Sequence, residues 1–224
     1  SADLMHEIRN PLASIKMASE VIFDKTPKDY QKFIEMIEAD IMRIENIITD
    51  YSAMIKDEAR LSITEAKIFN IEDLIIELIH EYEKLNKIKI EFIFITDNSK
   101  KNKFNIKGQI SFLRQAIQNI IDNAISFSKY EGKITINLSS TNNYISLSIS
   151  DNGPGIKEPV FEKIFERFYS LRDEDDTIRT HSGLGLNIAK QIIDAHQGYI
   201  SANNLQDNDR VVGAKFIINL PIAK

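Results

Sequence analysis

Asn119-Ile120-Ile121-Asp122-Asn123-Ala124 is the stretch from which the fold can be read. It lies late in a helical pattern running from Gln109 to about Phe127. On that helix Ile110, Leu113, Ile117, Ile121 and Ala124 recur at three- and four-residue spacing and mark the inward face. Asn119 and Asn123, with Ser126 or Phe127 about a turn further on, fall on the opposite face. Asparagine suits such a place chemically: its carbonyl can ligate a hard cation while its amide donates to a phosphate.

Outward from this helix the chain alternates helices with short strands. Towards the C-terminus, Ile134, Ile136 and Leu138 alternate with polar residues, as do Ile145, Leu147 and Ile149, giving a hairpin across Ser140 to Asn143. Asp151 ends the second strand and enters the glycine turn Asp151-Asn152-Gly153-Pro154-Gly155-Ile156. A carboxylate there can accept a hydrogen bond, and glycines let a ligand approach backbone that a Cβ would cover. The expected sequel is a short helix over Glu158–Phe168, a long polar loop over Tyr169–Ser182 and a helix over Leu184–His196. Strands at Tyr199–Ala202 and Val212–Leu220 follow, joined by a turn at Gln206–Asp209. Gly183-Leu184-Gly185-Leu186 opens the last helix, where backbone N–H groups and the positive helix end can meet an anion. Towards the N-terminus the pattern gives a short strand at Phe104–Ile106, a polar turn at Asp97–Lys103, an alternating strand over Ile88, Ile90, Phe92 and Phe94, a helix over Glu72–Leu85 and a short strand at Phe69–Ile71. Helices interspersed with paired strands predict an α/β sandwich, one mixed sheet with helices on one face.

The first part of the chain reads differently. His6-Glu7-Ile8-Arg9-Asn10-Pro11 sits on an amphipathic helix expected from near Ala2 to Phe23, with Met5, Ile8, Leu12, Ile15 and Ile22 on its seam and a break at Ser19. His6 and Asn10 lie off that seam, one turn apart. Thr26-Pro27 starts a second helix, which carries Phe33, Ile37, Ile41, Ile44, Ile48, Tyr51 and Ile55 on one face. A hairpin of this kind cannot bury both apolar stripes alone, so two copies are expected to pair as a four-helix bundle, a homodimer. The organisation expected is a helical hairpin over 1–57, a charged linker over 58–67 and an α/β domain over 68–224.

Composition removes other classes. A net charge of −5 over 224 residues offers no electrostatic footprint for nucleic acid, and the absence of cysteine removes disulfide and thiolate chemistry. No apolar run reaches the length of a membrane span.

Taken together these stretches resemble the sensor histidine kinases. His6-Glu7-x-x-Asn10-Pro11 resembles their phosphoacceptor box, and Asn119 to Ala124 the asparagine box of their nucleotide site. Asp151 to Ile156 is similar to the first glycine box, Phe161 to Phe168 to the phenylalanine box, and Gly183 to Leu186 to the second glycine box. They stand in the family's order across nearly the whole chain. The resemblance implies a Bergerat-type ATP-binding fold, shared with gyrase, mismatch-repair ATPases and the ninety-kilodalton heat-shock chaperone, behind a dimerisation and phosphotransfer hairpin. It implies ATP and Mg²⁺, with Asn123 as the metal ligand and Asn119 near the phosphates. By the same resemblance Asp151 is expected to accept from the adenine amine, Phe127, Gly153, Gly155, Ile156, Arg167, Ser182, Gly183, Leu184, Gly185 and Leu186 to surround the nucleotide, and the residues over 169–182 to form its lid.

The activity implied is ATP-dependent phosphorylation of His6, aided by Glu7, and transfer to an aspartate of a response-regulator receiver domain, with Asn10 serving dephosphorylation of that regulator. Such a chain is expected to be the cytoplasmic portion of an inner-membrane sensor, joined to the membrane through upstream segments. The competing readings are an ATPase switch of the same fold and a catalytically inactive dimeric scaffold. The first is disfavoured because hydrolytic members carry a glutamate where this chain has Asn119. Two departures bear on the second: Ser126 stands where the family commonly has lysine, and His181 where its second glycine box commonly has another glycine. Ser126-Phe127-Ser128 and Arg179-Thr180-His181-Ser182 are similar to envelope-associated sensors of alphaproteobacteria.

Overall fold

The computed structural model describes residues 12–13, 15–20, 22–23, 28–61, 65–85, 91–96, 104–128, 132–157, 160–167, 169, 183–208 and 210–223. The chain divides into two compact units, a helical one drawn from the residues up to Arg60 and an α/β one comprising Leu61–Arg167 and Gly185–Lys224.

In the helical unit, the described residues from 12 to 23 are helical (α1), and α2 spans Lys28–Leu61. The linker expected from residue 58 therefore begins as helix: α2 runs on to Leu61 without a breaker. The expected helix start at Thr26-Pro27 lies outside the described residues. Leu12, Ile41 and Ile48 form a buried cluster, and Ile34 is buried one heptad before Ile41. The apolar stripe expected on α2 is thus divided. Ile34, Ile41 and Ile48 follow a seven-residue repeat into the hairpin, whereas Phe33, Ile37 and Ile44 remain exposed with Met36 and Met42. On α1 the expected break is part of the seam: Ser19 is buried and donates to Glu38 at 3.2 Å and to the Lys16 carbonyl at 2.8 Å, while Ile15 and Ile22 are exposed.

The α/β unit begins with β1 (Lys67–Asn70), which passes directly into α3 (Ile71–Leu85). Asn70 caps α3, its Oδ1 accepting from the Glu72 N–H at 2.9 Å. Then follow β2 (Glu91–Thr96), β3 (Asn105–Gly108), α4 (Ile110–Phe127), β4 (Lys133–Ser140), β5 (Tyr144–Ser150), a single 3-10 turn at Lys163–Phe165, α5 (Gly185–Ala195), β6 (Tyr199–Asp207) and β7 (Arg210–Pro221). Ile88 and Ile90 of the expected strand lie outside the described residues. Five strands form one mixed sheet in the order β2-β4-β5-β7-β6, with β2 parallel to β4 and the other pairs antiparallel. β1 and β3 form a separate two-stranded ribbon.

One face of the sheet is apolar and covered. Ile134, Ile136 and Leu138 of β4, Ile145, Leu147 and Ile149 of β5, and Phe216 and Ile218 of β7 are buried, while the residues between them are polar or partly exposed. Phe112, Leu113, Ala116, Ile117, Ile120, Ile121 and Ala124 of α4 and Ile188, Ala189, Ile192 and Ile193 of α5 supply the helical side of that core. Ile110, expected inward, is exposed because it opens the first turn of α4. Arg114 on α4 reaches across to Glu77 at 2.6 Å and Glu81 at 3.1 Å on α3, fixing the two helices against each other.

Three other expectations change. The helix expected over Glu158–Phe168 is only the 3-10 turn in the described part, since just Ile164 and Phe165 need burying there. The last hairpin is longer than expected, with β6 reaching Asp207 and Asn208 turning in the left-handed region at φ 47°. Ile71, expected to be extended, is the first residue of α3.

Candidate functional site

The asparagine helix and the glycine turn come together through backbone. Phe127 lies at the end of α4, and its carbonyl oxygen abuts Gly153: a Cβ on Gly153 would stand 2.6 Å from it. Glycine is required there by contact between two chain segments. At the same end of α4, Ser126 donates to the Asn123 carbonyl at 3.1 Å and Ser128 to that of Ala124 at 2.7 Å. Asn119 and Asn123 are half-buried on the face expected. Asn119 adjoins the start of α5, since a Cβ at Gly185 would lie 3.7 Å from its Cγ. The asparagine box and the helix of the second glycine box are therefore neighbours.

Asp151 is the most buried acid of the site, with 4% of its surface exposed. Its Oδ1 accepts from the Gly153 N–H at 2.8 Å and from the Ala214 N–H at 3.1 Å, and its own N–H donates to the Ala214 carbonyl at 3.0 Å. Burial raises its pKa above the usual carboxylate range, and the two N–H groups pull part of the way back. Both of these bonds fall on one oxygen, Oδ1. The approach from β7 is unusually close. Gly213 lies against the Asp151 backbone so tightly that a Cβ would run into the Asp151 carbonyl oxygen.

The other end of the turn is fixed by a residue that sequence reasoning missed. Gly155 takes φ 77°, and a Cβ there would meet Val211 and Asn204. Ile156 is buried, and its N–H donates to Asn204 Oδ1 at 2.7 Å while its carbonyl accepts from Asn204 Nδ2 at 2.8 Å. Further on, Asn187 of α5 donates to the Phe165 carbonyl at 2.8 Å, and its Oδ1 is buried without a hydrogen-bond partner among the described residues. Neither Asn187 nor Asn204 belongs to a sequence box. A lone glycine inside a strand, Gly213, was the one available signal of close backbone approach.

The remaining candidates are placed as follows. Gly183, at φ 73°, and the buried Leu184 immediately precede α5, and Gly185 and Leu186 form its first turn. Arg167 is exposed just beyond the 3-10 turn. His6, Glu7, Asn10 and Ser182 lie outside the described residues, as does most of the expected lid. Among the described residues, no cluster of three or more His, Cys, Asp or Glu side chains could hold a metal ion. Asn119 and Asn123, half-buried one turn apart on α4, are neutral amides, a chemistry that suits Mg²⁺ carried in by phosphates, because that ion keeps water and phosphate oxygens and takes few protein ligands.

The pattern of the histidine kinase-, DNA gyrase B- and HSP90-like ATPases matches residues 108–224. The chain belongs to this family. The His Kinase A phospho-acceptor domain matches residues 1–60, ahead of it, which is the arrangement of a histidine kinase catalytic portion. The sensor protein ChvG of Rhizobium meliloti (strain 1021) is 32% identical over 228 residues, covering 99% of this chain and 40% of that protein. ChvG of Agrobacterium fabrum (strain C58) is 33% identical over 231 residues, covering 100% of this chain and 39% of that protein. The chain thus spans about two fifths of the length of these relatives. Among solved structures, the histidine kinase ThkA in complex with the response regulator protein TrrA superposes with a TM-score of 0.65 at 28% identity, over 99% of this chain and 60% of that one. No described helix is long and apolar enough to cross a membrane.

Proposed function

We propose that the chain is a protein-histidine kinase that phosphorylates His6 from ATP and passes the phosphoryl group to an aspartate of a response-regulator receiver domain. The observation that carries this reading is Asp151: a buried carboxylate with one oxygen tied down by two backbone N–H groups, in a turn whose Gly153 packs on the Phe127 carbonyl at the end of the asparagine helix. A carboxylate held so is suited to accept from the exocyclic amine of adenine. Asn119 and the first turn of α5 adjoin each other, as donors to phosphate would. Asn123 would hold Mg²⁺, which supplies charge neutralisation on the phosphates when bound.

In the transfer, the lone pair of a neutral His6 ring nitrogen attacks the γ-phosphorus in line, the bond to the bridging oxygen breaks and ADP leaves. Imidazole, with an unperturbed pKa of about 6.5, is largely neutral at pH 7. Glu7 accepts the proton from the other ring nitrogen. The phosphoramidate is energy-rich enough to pass its phosphoryl group to a carboxylate. Asn10, one helical turn from His6, orients a water for hydrolysis of the regulator's acyl phosphate, so Asn10→Ala keeps autophosphorylation and slows dephosphorylation of the regulator. The active form is a homodimer through the hairpin, a reading supported by the exposed Ile37, Met42 and Ile44 on α2. Its place on the cytoplasmic side of a membrane-attached sensor rests on likeness to proteins named as sensors.

The test is incubation with γ-labelled ATP. Label that is lost in acid, survives base and disappears in His6→Gln, with ADP binding intact, is the expected result. Released phosphate without labelled protein would make the chain an ATPase instead.

A further inference from the structure

Asn204 lies on β6, far in sequence from every box, yet its amide makes two hydrogen bonds to one residue of the glycine turn. Ile156 N–H needs an acceptor and Ile156 C=O needs a donor. Only an amide side chain offers both at the spacing of a strand partner, and those needs fix which end of the amide is oxygen. Asn204 therefore acts on Ile156 as a neighbouring strand would.

Its position in the ladder gives this contact a further meaning. Asn204 pairs in register with Ala214 of β7, and Ala214 is the residue whose carbonyl accepts from the Asp151 N–H and whose own N–H donates to Asp151 Oδ1. Both ends of the turn, Asp151 and Ile156, are thus referred to a single rung of the β6–β7 ladder. One rung further along β6, after Leu205 pairs with Gly213, the register shifts between Leu205 and Gln206, where Val212 is the extra residue, and pairing resumes at Gln206 with Val211. The Asn204–Ala214 rung is thus the last but one before this irregularity. Between the two fixed ends, Gly153 packs on the Phe127 carbonyl and Gly155 on Val211. The turn has little room to move except by releasing Ile156.

We propose that Asn204 is a positioning residue for the nucleotide base: by holding Ile156 on the rung that also holds Asp151, it sets the distance between the acceptor carboxylate and the wall of the base site. This deepens the reading of the site as an ATP site and rests on it. The ligand portion concerned is the purine, whose recognition needs Asp151 and the turn in fixed relation. The phosphates, which meet α4 and α5, do not depend on this rung.

The experiment compares wild type with Asn204→Ala, Asn204→Asp and a neighbouring control, Gln206→Ala, each measured well below its own melting temperature. Asn204→Asp keeps the acceptor for Ile156 N–H and loses the donor to Ile156 C=O. Expected are an ADP dissociation constant about tenfold weaker in Asn204→Ala, an intermediate loss in Asn204→Asp, and no change in the control. In autophosphorylation, KM for ATP should rise about tenfold in Asn204→Ala with the saturating rate within twofold. If Asn204 only stabilises the domain, the saturating rate per mole of protein falls while KM and the ADP dissociation constant stay at wild-type values, and the proposal is overturned. Unchanged ADP binding in Asn204→Ala overturns it equally. Wild type that binds no ADP would instead overturn the ATP-site reading itself.

Discussion

The N–H of Ala214 donates to Oδ1 of Asp151 at 3.1 Å across a sequence separation of 63 residues. This bond and the one from Gly153 hold a carboxylate where burial works against its charge. Because the folded-state pKa is raised, the stability linked to Asp151 is fully present below its unfolded pKa, about 3.9, and is lost as pH rises through the folded value. At pH 7 the ionised group is a net cost to the fold. Asp151→Asn keeps an oxygen for both N–H donors and removes the buried charge. It should raise the melting temperature at pH 7 by roughly 2–4 °C, about 1 kcal/mol for a protein of this size, with the advantage narrowing towards pH 4. The same variant should bind ADP at least tenfold more weakly. Thermal melts against pH beside binding isotherms check both halves; a variant that is less stable and binds normally would contradict them.

Gly213 has no room for a side chain because the Asp151 carbonyl occupies that place. Both atoms are backbone, in a strand and at a strand end, so neither can swing away. Gly213→Ala should cost about 3 kcal/mol or more and appear as a large drop in the urea midpoint. A drop below about 1 kcal/mol would mean that β7 shifts easily, which the ladder from Tyr144↔Pro221 to Ser150↔Lys215 argues against.

His196 joins the end of α5 to the start of α4. Its Nδ1–H donates to the Ile192 carbonyl at 2.7 Å, and its Nε2 accepts from the Gln109 N–H at 3.0 Å. Ile192 C=O can only accept and Gln109 N–H can only donate, so the pair of bonds demands the neutral imidazole with its proton on Nδ1. Burial lowers its pKa from the usual 6.5. The stability it contributes is therefore complete above about 6.5 and is lost as pH falls through the folded value. Denaturant midpoints of wild type should decline as pH falls below about 6.5. His196→Gln should be less stable at pH 7 by about 1–2 kcal/mol and show a flatter profile over that window.

Helix α5 ends in a paired motif, with Gly198 N–H donating to the Ile193 carbonyl at 3.0 Å and Gln197 N–H to that of Asp194 at 2.9 Å. Gln197 stands at the left-handed position of this cap, at φ 58°, where glycine carries no steric penalty. Gln197 is exposed, so nothing is lost in packing. Gln197→Gly should stabilise the protein by about 0.5–1 kcal/mol, read as a higher urea midpoint at unchanged slope.

The sequence by itself determined the elements whose signal is local. The three-four spacing from Leu113 to Ala124 is a property of consecutive residues, and α4 follows it closely, with Asn119 and Asn123 on the expected face. Alternation likewise fixed β4 and β5, and with them the placing of Asp151 at a strand end. Only the tertiary structure decided what depends on partners remote in the chain. Periodicity marks Phe33, Ile37, Ile41, Ile44 and Ile48 alike as one apolar stripe, but packing against Leu12 buries Ile41 and Ile48 and leaves Ile37 and Ile44 exposed, while Ile34, outside that stripe, is buried. The pairing of β1 with β3, the approach of Gly213 to Asp151 and the bridging of Asn204 to Ile156 each join segments that share no sequence pattern. A side chain's periodicity records which face it occupies. Which backbone that face then meets is settled by the strand order β2-β4-β5-β7-β6, and on that order the geometry around Asp151 depends.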